Sequence, residues 1–192
     1  MKDELKKAPL IHCDESPFTM SGEKDANDPQ SKNYMWVYHS PGIQDSKKIY
    51  LYEYDNGSRS AAVIDRYLEG YKGILVSDGY ASYHTLDRKH DDLKVAGCWV
   101  HCKRKYAEIV KTVKKGAALS PAQQIAREAA ERIAVIFHTD NLSKGKSSQE
   151  ILDNRQQSVK PLVDALFAWV IDILINKVIS STDLKKALTY SV

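Results

Sequence analysis

Between Lys72 and Tyr83 the chain reads KGILVSDGYASY, and this stretch narrows the choice of fold more than any other. Gly73 to Val76 is small or apolar throughout and bounded by glycine, the pattern of a short buried strand. The run ends in Ser77-Asp78-Gly79, and a helical pattern opens near Tyr80. Gly79 permits a sharp turn. A carboxylate at the carboxyl end of a buried strand stands where open α/β sheets place their ligands. Asp78 also reads as a plain N-cap for the next helix. A second strand-borne carboxylate, Asp14 in Leu10-Ile11-His12-Cys13-Asp14-Glu15, makes the functional reading worth pursuing.

The segments around this strand fall into a definite order. Pro9 to Asp14 is a short apolar strand after a polar lead-in, and Glu15 to Asn33, with Pro17, Gly22 and Pro29, reads as a loop. Tyr34 to Ser40 is aromatic-rich and strand-like. Lys47 to Tyr54 alternates, with Ile49 and Leu51 on one face and Tyr50, Tyr52 and Tyr54 on the other. The Pro41-Gly42 turn between these two strands makes an antiparallel hairpin. Ser58 is a candidate cap for a helix from Arg59 to Glu69, with Ala61, Ile64, Tyr67 and Leu68 on one face. A short helix from Tyr80 to Leu86, a strand from Leu93 to Cys98 and a basic amphipathic helix from Val100 to Lys114 follow the central strand.

Three strands, helix, strand, helix, strand, helix is the element order of an RNase H-like domain. In that fold the first and fourth strands are parallel neighbours near the sheet's centre, which would bring Asp14 and Asp78 together. This is a fold analogy, and function is argued separately. The remainder is helical. Ser120-Pro121-Ala122-Gln123 is a capping box opening a helix to about His138, and Ser147 to Glu150 is another. Val159 to Val178 is apolar around most of its circumference, the pattern of a buried helix. Ser181 to Tyr190 begins a last helix. The expected division is a core over 1–115 and a helical insertion or extension over 116–192.

At 192 residues the chain suits one domain with an appendage. A net charge of +3 permits a nucleic-acid partner without demanding one. The three cysteines, an odd count with no secreted spacing, point to reduced cytosolic thiols. MKDELKKAP lacks the apolar core of a signal peptide. Leu162 to Ile175 is interrupted by Asp164 and Asp172 and too short to span a bilayer. A soluble cytoplasmic protein is expected.

Two carboxylates on adjacent strands repel each other, and such pairs commonly hold divalent cations. Mg²⁺ and Mn²⁺ take oxygen ligands and keep positions for water and phosphate. Two-metal sites stabilise both the attacking and the leaving oxygen of a phosphoryl displacement, and generally need a third acidic ligand. Spacing alone leaves structural and functional readings of Asp14 and Asp78 both open.

A set of short motifs occurs in a fixed order: His12-Cys13-Asp14-Glu15, Tyr34-Met35-Trp36-Val37-Tyr38, Tyr54-Asp55-Asn56-Gly57-Ser58-Arg59-Ser60, Gly70-Tyr71-Lys72-Gly73, Asp78-Gly79-Tyr80-Ala81-Ser82-Tyr83 and Cys98-Trp99-Val100-His101-Cys102-Lys103-Arg104-Lys105. Over nearly its whole length the chain resembles the catalytic domain of a bacterial insertion-sequence transposase, the family numbered sixty-six. The resemblance implies an RNase H-like DDE enzyme, a mixed five-stranded sheet with flanking helices, and two Mg²⁺ or Mn²⁺ ions in the intact protein. It matches Asp14 and Asp78 to the family's first two catalytic, metal-holding aspartates, with transposon-end and target DNA as partners and a homo-oligomer as a further expectation. The family's third acidic residue is a Glu in an Asn-Asn-x-x-Glu-Arg motif. No stretch of these residues contains that motif, and Glu108, Glu128, Glu131 and Glu150 lie outside any such context. The chain therefore reads as a central fragment without an assigned third ligand, inactive by itself.

Lys103, Arg104, Lys105, Lys111, Lys114 and Lys115 read either as a solvated face or as phosphate contacts. Arg59 and His101 are further DNA-contact candidates. Cys98 and His101 have the spacing of half a zinc site, or of a buried cysteine and a packing histidine. Tyr50, Tyr52 and Tyr54 read as sheet packing. Two rival functions stay open: a metal-dependent nuclease of the same fold, and a non-catalytic DNA-binding or dimerisation module.

Overall fold

Alternating burial builds the first half of the protein. In β1 (Leu10–Phe18) Ile11, Cys13 and Glu15 are buried while His12, Asp14 and Ser16 are exposed, the period of a pleated strand. The same alternation in β2 (Asn33–Pro41) buries Trp36, Tyr38 and Ser40. The computed structural model describes residues 1–19, 32–43, 46–79, 81–113 and 117–192. Most of the expected loop after β1, the helix start expected at Tyr80, and Lys114 and Lys115 fall outside them. The chain forms two compact units, Met1–Cys98 and Trp99–Val192.

In the first unit β1 and β2 join β3 (Lys48–Tyr54), β4 (Gly73–Ser77) and β5 (Leu93–Gly97) in a five-stranded sheet of order β3-β2-β1-β4-β5. The β3-β2-β1 side is antiparallel, and β1-β4-β5 is parallel. The fold is α/β with a mixed sheet and flanking helices, and its first and fourth strands are parallel neighbours, as the RNase H-like reading requires. The helices are α1 (Lys2–Leu5), α2 (Ala61–Tyr67) and α3 (Ala81–Lys89). They supply Leu5, Val63, Ile64, Tyr67, Tyr83 and Leu86 to a core shared with Ile11, Trp36, Tyr38, Leu75 and Leu93. Tyr38 stacks on Tyr67 with ring centroids 4.1 Å apart. Each fully buried aliphatic side chain stabilises the fold by about 1.5–3 kcal/mol before entropy is counted.

Several boundaries differ from expectation, each for a local reason. β1 runs on to Phe18 because β2 keeps pairing with it as far as Phe18↔Asn33. Its bonds to β4 stop at His12, so Pro17 sits where β1 has one neighbour among the described residues, a tolerated place for proline. The polar lead-in contains α1, anchored by Leu5. α2 begins at Ala61, not Arg59. Ser60 stands at its N-cap, and the Ser58 hydroxyl accepts the Ser60 N–H at 3.2 Å. The outward tyrosines pack only partly: Tyr50 stacks on His39 at 4.2 Å and Tyr54 meets Phe18 edge-on, while Tyr52 is 67% exposed.

The second unit is helical: α4 (Trp99–Lys111), α5 (Pro121–Asn141), α6 (Ser148–Asn154), α7 (Lys160–Asn176) and α8 (Thr182–Ser191). Both capping boxes form, Ser120 with Gln123 and Ser147 with Glu150. α6 continues into α7 through a π-helical turn over Arg155–Val159. Pro161 lacks the N–H that would reach back to the Gln157 carbonyl, which fits a widened turn there. Arg155 pairs with Asp140 at 2.7 Å and Asn154 donates to the Thr139 carbonyl, tying the junction to α5. The expectation that α7 is buried all round is corrected. Only Leu166, Val170 and Ile173 are buried, and Ile171 and Ile175 are exposed. One stripe suffices for its contacts with α5 and α8.

Candidate active site

Two strands and their register build the site. β4 enters the sheet at Gly73, whose φ of +153° suits glycine. A Cβ there would lie 2.8 Å from the Pro9 carbonyl oxygen and 2.6 Å from the Tyr71 hydroxyl. That close approach lets Ile74 N–H donate to Pro9 O at 3.0 Å, opening the parallel ladder. The ladder pairs Leu10 with Ile74, Ile11 with Leu75 and His12 with Val76. Asp14 and Asp78 each stand two residues beyond that last pair. Asp14 is exposed and Asp78 half-buried. Their negative charges both act on the thiol of buried Cys13, which burial already pushes well above its usual range.

Glu15, next to Asp14, carries no assigned role in the sequence reading. Its carboxylate is 1% exposed. Arg59 donates to Oε1 through Nε at 2.7 Å, with Nη2 at 2.5 Å. The Tyr83 hydroxyl donates to Oε2 at 2.9 Å and lies 3.5 Å from Cys13 Sγ. Burial raises the Glu15 pKa, the Arg59 and Tyr83 hydrogen bonds lower it, and the Asp78 charge adds to the rise. Burial also pushes the Tyr83 phenol far upward, so it stays a donor. Arg59 further lies over the Tyr34 ring, 5.2 Å from its centroid. The signal for Glu15 was present in the inward parity of Ile11, Cys13 and Glu15. Ending the strand at Asp14 concealed it.

The oxygen donors of Asp14 and Asp78 fit a hard divalent cation that keeps water or phosphate in its other positions. Among the described residues no group of three or more His, Cys, Asp or Glu is arranged to hold a metal ion. Arg59 belongs to the first unit, where it is committed to Glu15. His101, Lys103, Arg104 and Lys105 lie on α4 of the second. Lys103 stands over the Phe137 ring and Lys105 over Tyr190, at 5.8 and 4.4 Å from the centroids. Arg104 is exposed and His101 half-buried. Cys98 closes the first unit, and Cys102 is buried in the second beside Ser191. No helix among the described residues is long and apolar enough to cross a membrane.

The family model described as "Transposase IS66 family" matches residues 1–192. Three uncharacterized proteins of Sinorhizobium fredii are similar. The one named y4qI is 23% identical over 99% of this chain and 35% of its own length. Those named y4jD and y4hP are 29% and 31% identical, over 70% and 61% of this chain. The chain thus spans about a third or less of the curated relatives it matches, 35%, 26% and 22% of their lengths. No solved structure matches it.

Proposed function

The chain belongs to the IS66 transposase family, and from that premise we propose that it forms part of the catalytic core of a DDE-type DNA transposase. Residues 1–115 would serve as the RNase H-like core and 116–192 as a helical insertion or extension. In this reading Asp14 and Asp78 hold divalent cations, Mg²⁺ or Mn²⁺, two in the intact enzyme. The supporting observation is the parallel pairing of β1 with β4, whose last pair, His12↔Val76, stands two residues before each aspartate. When bound, the cations supply Lewis-acid stabilisation of the reacting oxygens of a phosphodiester. Asp14 and Asp78 orient that chemistry and pair with positive charge that would otherwise be solvated. Arg104 and its neighbours on α4 supply phosphate contacts that position DNA without reading its sequence. The reactions of the intact protein would be DNA strand cleavage and transfer of the freed 3′-hydroxyl to target DNA.

No residue here is assigned as the third carboxylate, and losing one such electrostatic partner commonly costs on the order of a hundredfold or more in rate. The test compares the 192-residue chain with a version extended through an Asn-Asn-x-x-Glu-Arg motif, in Mn²⁺, on duplex DNA carrying the element's ends. The extended protein should cleave and join strands, and Asp78→Asn should abolish both. Cleavage without joining would support a nuclease. Cleavage indifferent to Asp78→Asn would end the two-aspartate reading. Equal, Asp78-dependent activity in both lengths would place the third carboxylate within these residues.

A further inference from the structure

Past His12 the hydrogen bonds between β1 and β4 have ended, so the ladder by itself does not hold Asp14 against Asp78. Another connection crosses the gap at that point. Glu15 follows Asp14 directly, and its N–H donates to Asp14 Oδ1 at 3.0 Å. Tyr83, in α3 just after the Asp78 segment, donates to the Glu15 carboxylate at 2.9 Å. Arg59 reaches the same carboxylate from the turn before α2. That turn is held in place in its own right. Trp36, the cross-strand partner of Glu15, donates its indole N–H to the Ser58 carbonyl at 2.9 Å and meets the Tyr83 ring edge-on.

We propose that Glu15, Arg59 and Tyr83 form a positioning cluster that sets the separation of Asp14 and Asp78. The proposal rests on the reading of those aspartates as metal-holding carboxylates. A buried ion pair is a poor device for stability alone, because a well-packed apolar residue often serves as well or better. What it adds here is direction: two oxygens of one carboxylate fix two partners from two other segments. Arg59 also offsets a third negative charge beside two aspartates that must already tolerate each other. In this role the cluster acts through the backbone of its neighbours.

The test is a Mn²⁺ titration of the 192-residue chain, followed by paramagnetic broadening of backbone amide NMR signals, which detects weak binding and locates it. In the unaltered protein broadening should centre on the Asp14 and Asp78 segments and vanish in Asp78→Asn. Tyr83→Phe removes one hydroxyl from a packed ring and should keep the dispersed spectrum. It should need roughly tenfold more Mn²⁺ for the same broadening, the loss usual for an outer-shell partner of a metal ligand. Glu15→Gln should lose at least as much, and Arg59→Lys, which keeps the charge without the fork, should fall between. Folded Tyr83→Phe and Glu15→Gln proteins that bind Mn²⁺ like the unaltered chain would overturn the cluster and leave the aspartates standing. Unfolding of both variants would assign the cluster to stability alone and overturn it too. No broadening in the unaltered protein, or undiminished broadening in Asp78→Asn, would remove the metal reading and the cluster with it.

Discussion

Gly73 sets the start of the parallel ladder, and its replacement is the sharpest residue-scale experiment on the fold. Any side chain there meets the Pro9 carbonyl and the Tyr71 hydroxyl at under 3 Å, in a backbone conformation that L-residues rarely adopt. The hydroxyl donates to the Ile74 carbonyl at 3.1 Å, and burial pushes its pKa up to about 12, so it stays a donor. Gly73→Ala should therefore destabilise the protein by about 1–3 kcal/mol, the usual cost of such strain, read as a lower urea midpoint. An unchanged midpoint would show that Pro9 and Tyr71 yield freely, and that the register is set elsewhere. Glu15 teaches a complementary lesson. A charged residue at an inward position of a strand looks like an end to the strand until its partners are known. Those partners lie 44 and 68 positions away in the chain.

Among the elements, α4 carries the testable surface. The sequence marks it as basic and amphipathic. Its lysines turn out to differ from Arg104, since Lys103 and Lys105 cover the rings of Phe137 and Tyr190. Cation–π contacts of this kind contribute about 0.5–1 kcal/mol at exposed sites. Lys103→Ala and Lys105→Ala should thus lower stability slightly as well as DNA affinity, whereas Arg104→Ala tests the proposed phosphate contact alone. We expect Arg104→Ala to weaken binding to duplex DNA severalfold at low salt, with the loss shrinking as salt rises, and with no change in the unfolding midpoint. Equal affinity at low salt would make the face merely solvated. α7 shows the limit of periodicity as a guide. Apolar residues around a helix state what could be buried, and the packing of α5 and α8 decides which stripe is.

At the scale of the whole molecule, groups of opposite sign govern stability against acid. Burial lowers the pKa of His39, helped by the charges of His12 and Lys48, and burial also lowers that of His12. The unfolded chain, with histidines near pKa 6.5, then binds protons more readily than the folded one. Stability should be level above about pH 6.5 and fall as pH drops through the lowered folded-state values. Glu15 and Glu53, raised chiefly by burial, act in reverse closer to the ordinary Glu value of about 4.3. Protonation there relieves the folded state, so the acid slope should flatten. Lower still, Asp65, held down by its hydrogen bonds to His90 and Lys89, loses its contribution as it is protonated. His39→Phe keeps a ring against Tyr50 and cannot titrate. It should reduce the slope of thermal midpoint against pH below about 6.5. A slope equal to that of the unaltered protein would shift the acid sensitivity onto His12.

The chain order of the elements, the alternation in β3, both capping boxes and the strand that runs into Asp78 depend on neighbours within a few residues, and all could be read in advance. So could the pairing of β1 with β4, because few topologies accommodate that order. Strand ends, the buried stripe of α7 and the partners of Glu15 could not. Each depends on what a distant segment presents: β2 extends β1 to Phe18, α5 and α8 select one face of α7, and Arg59 and Tyr83 make a buried carboxylate tolerable. Local sequence sets which conformations are cheap. The free energy of burying a charge or ending a ladder is set by groups that only folding brings together, and there the tertiary structure decided.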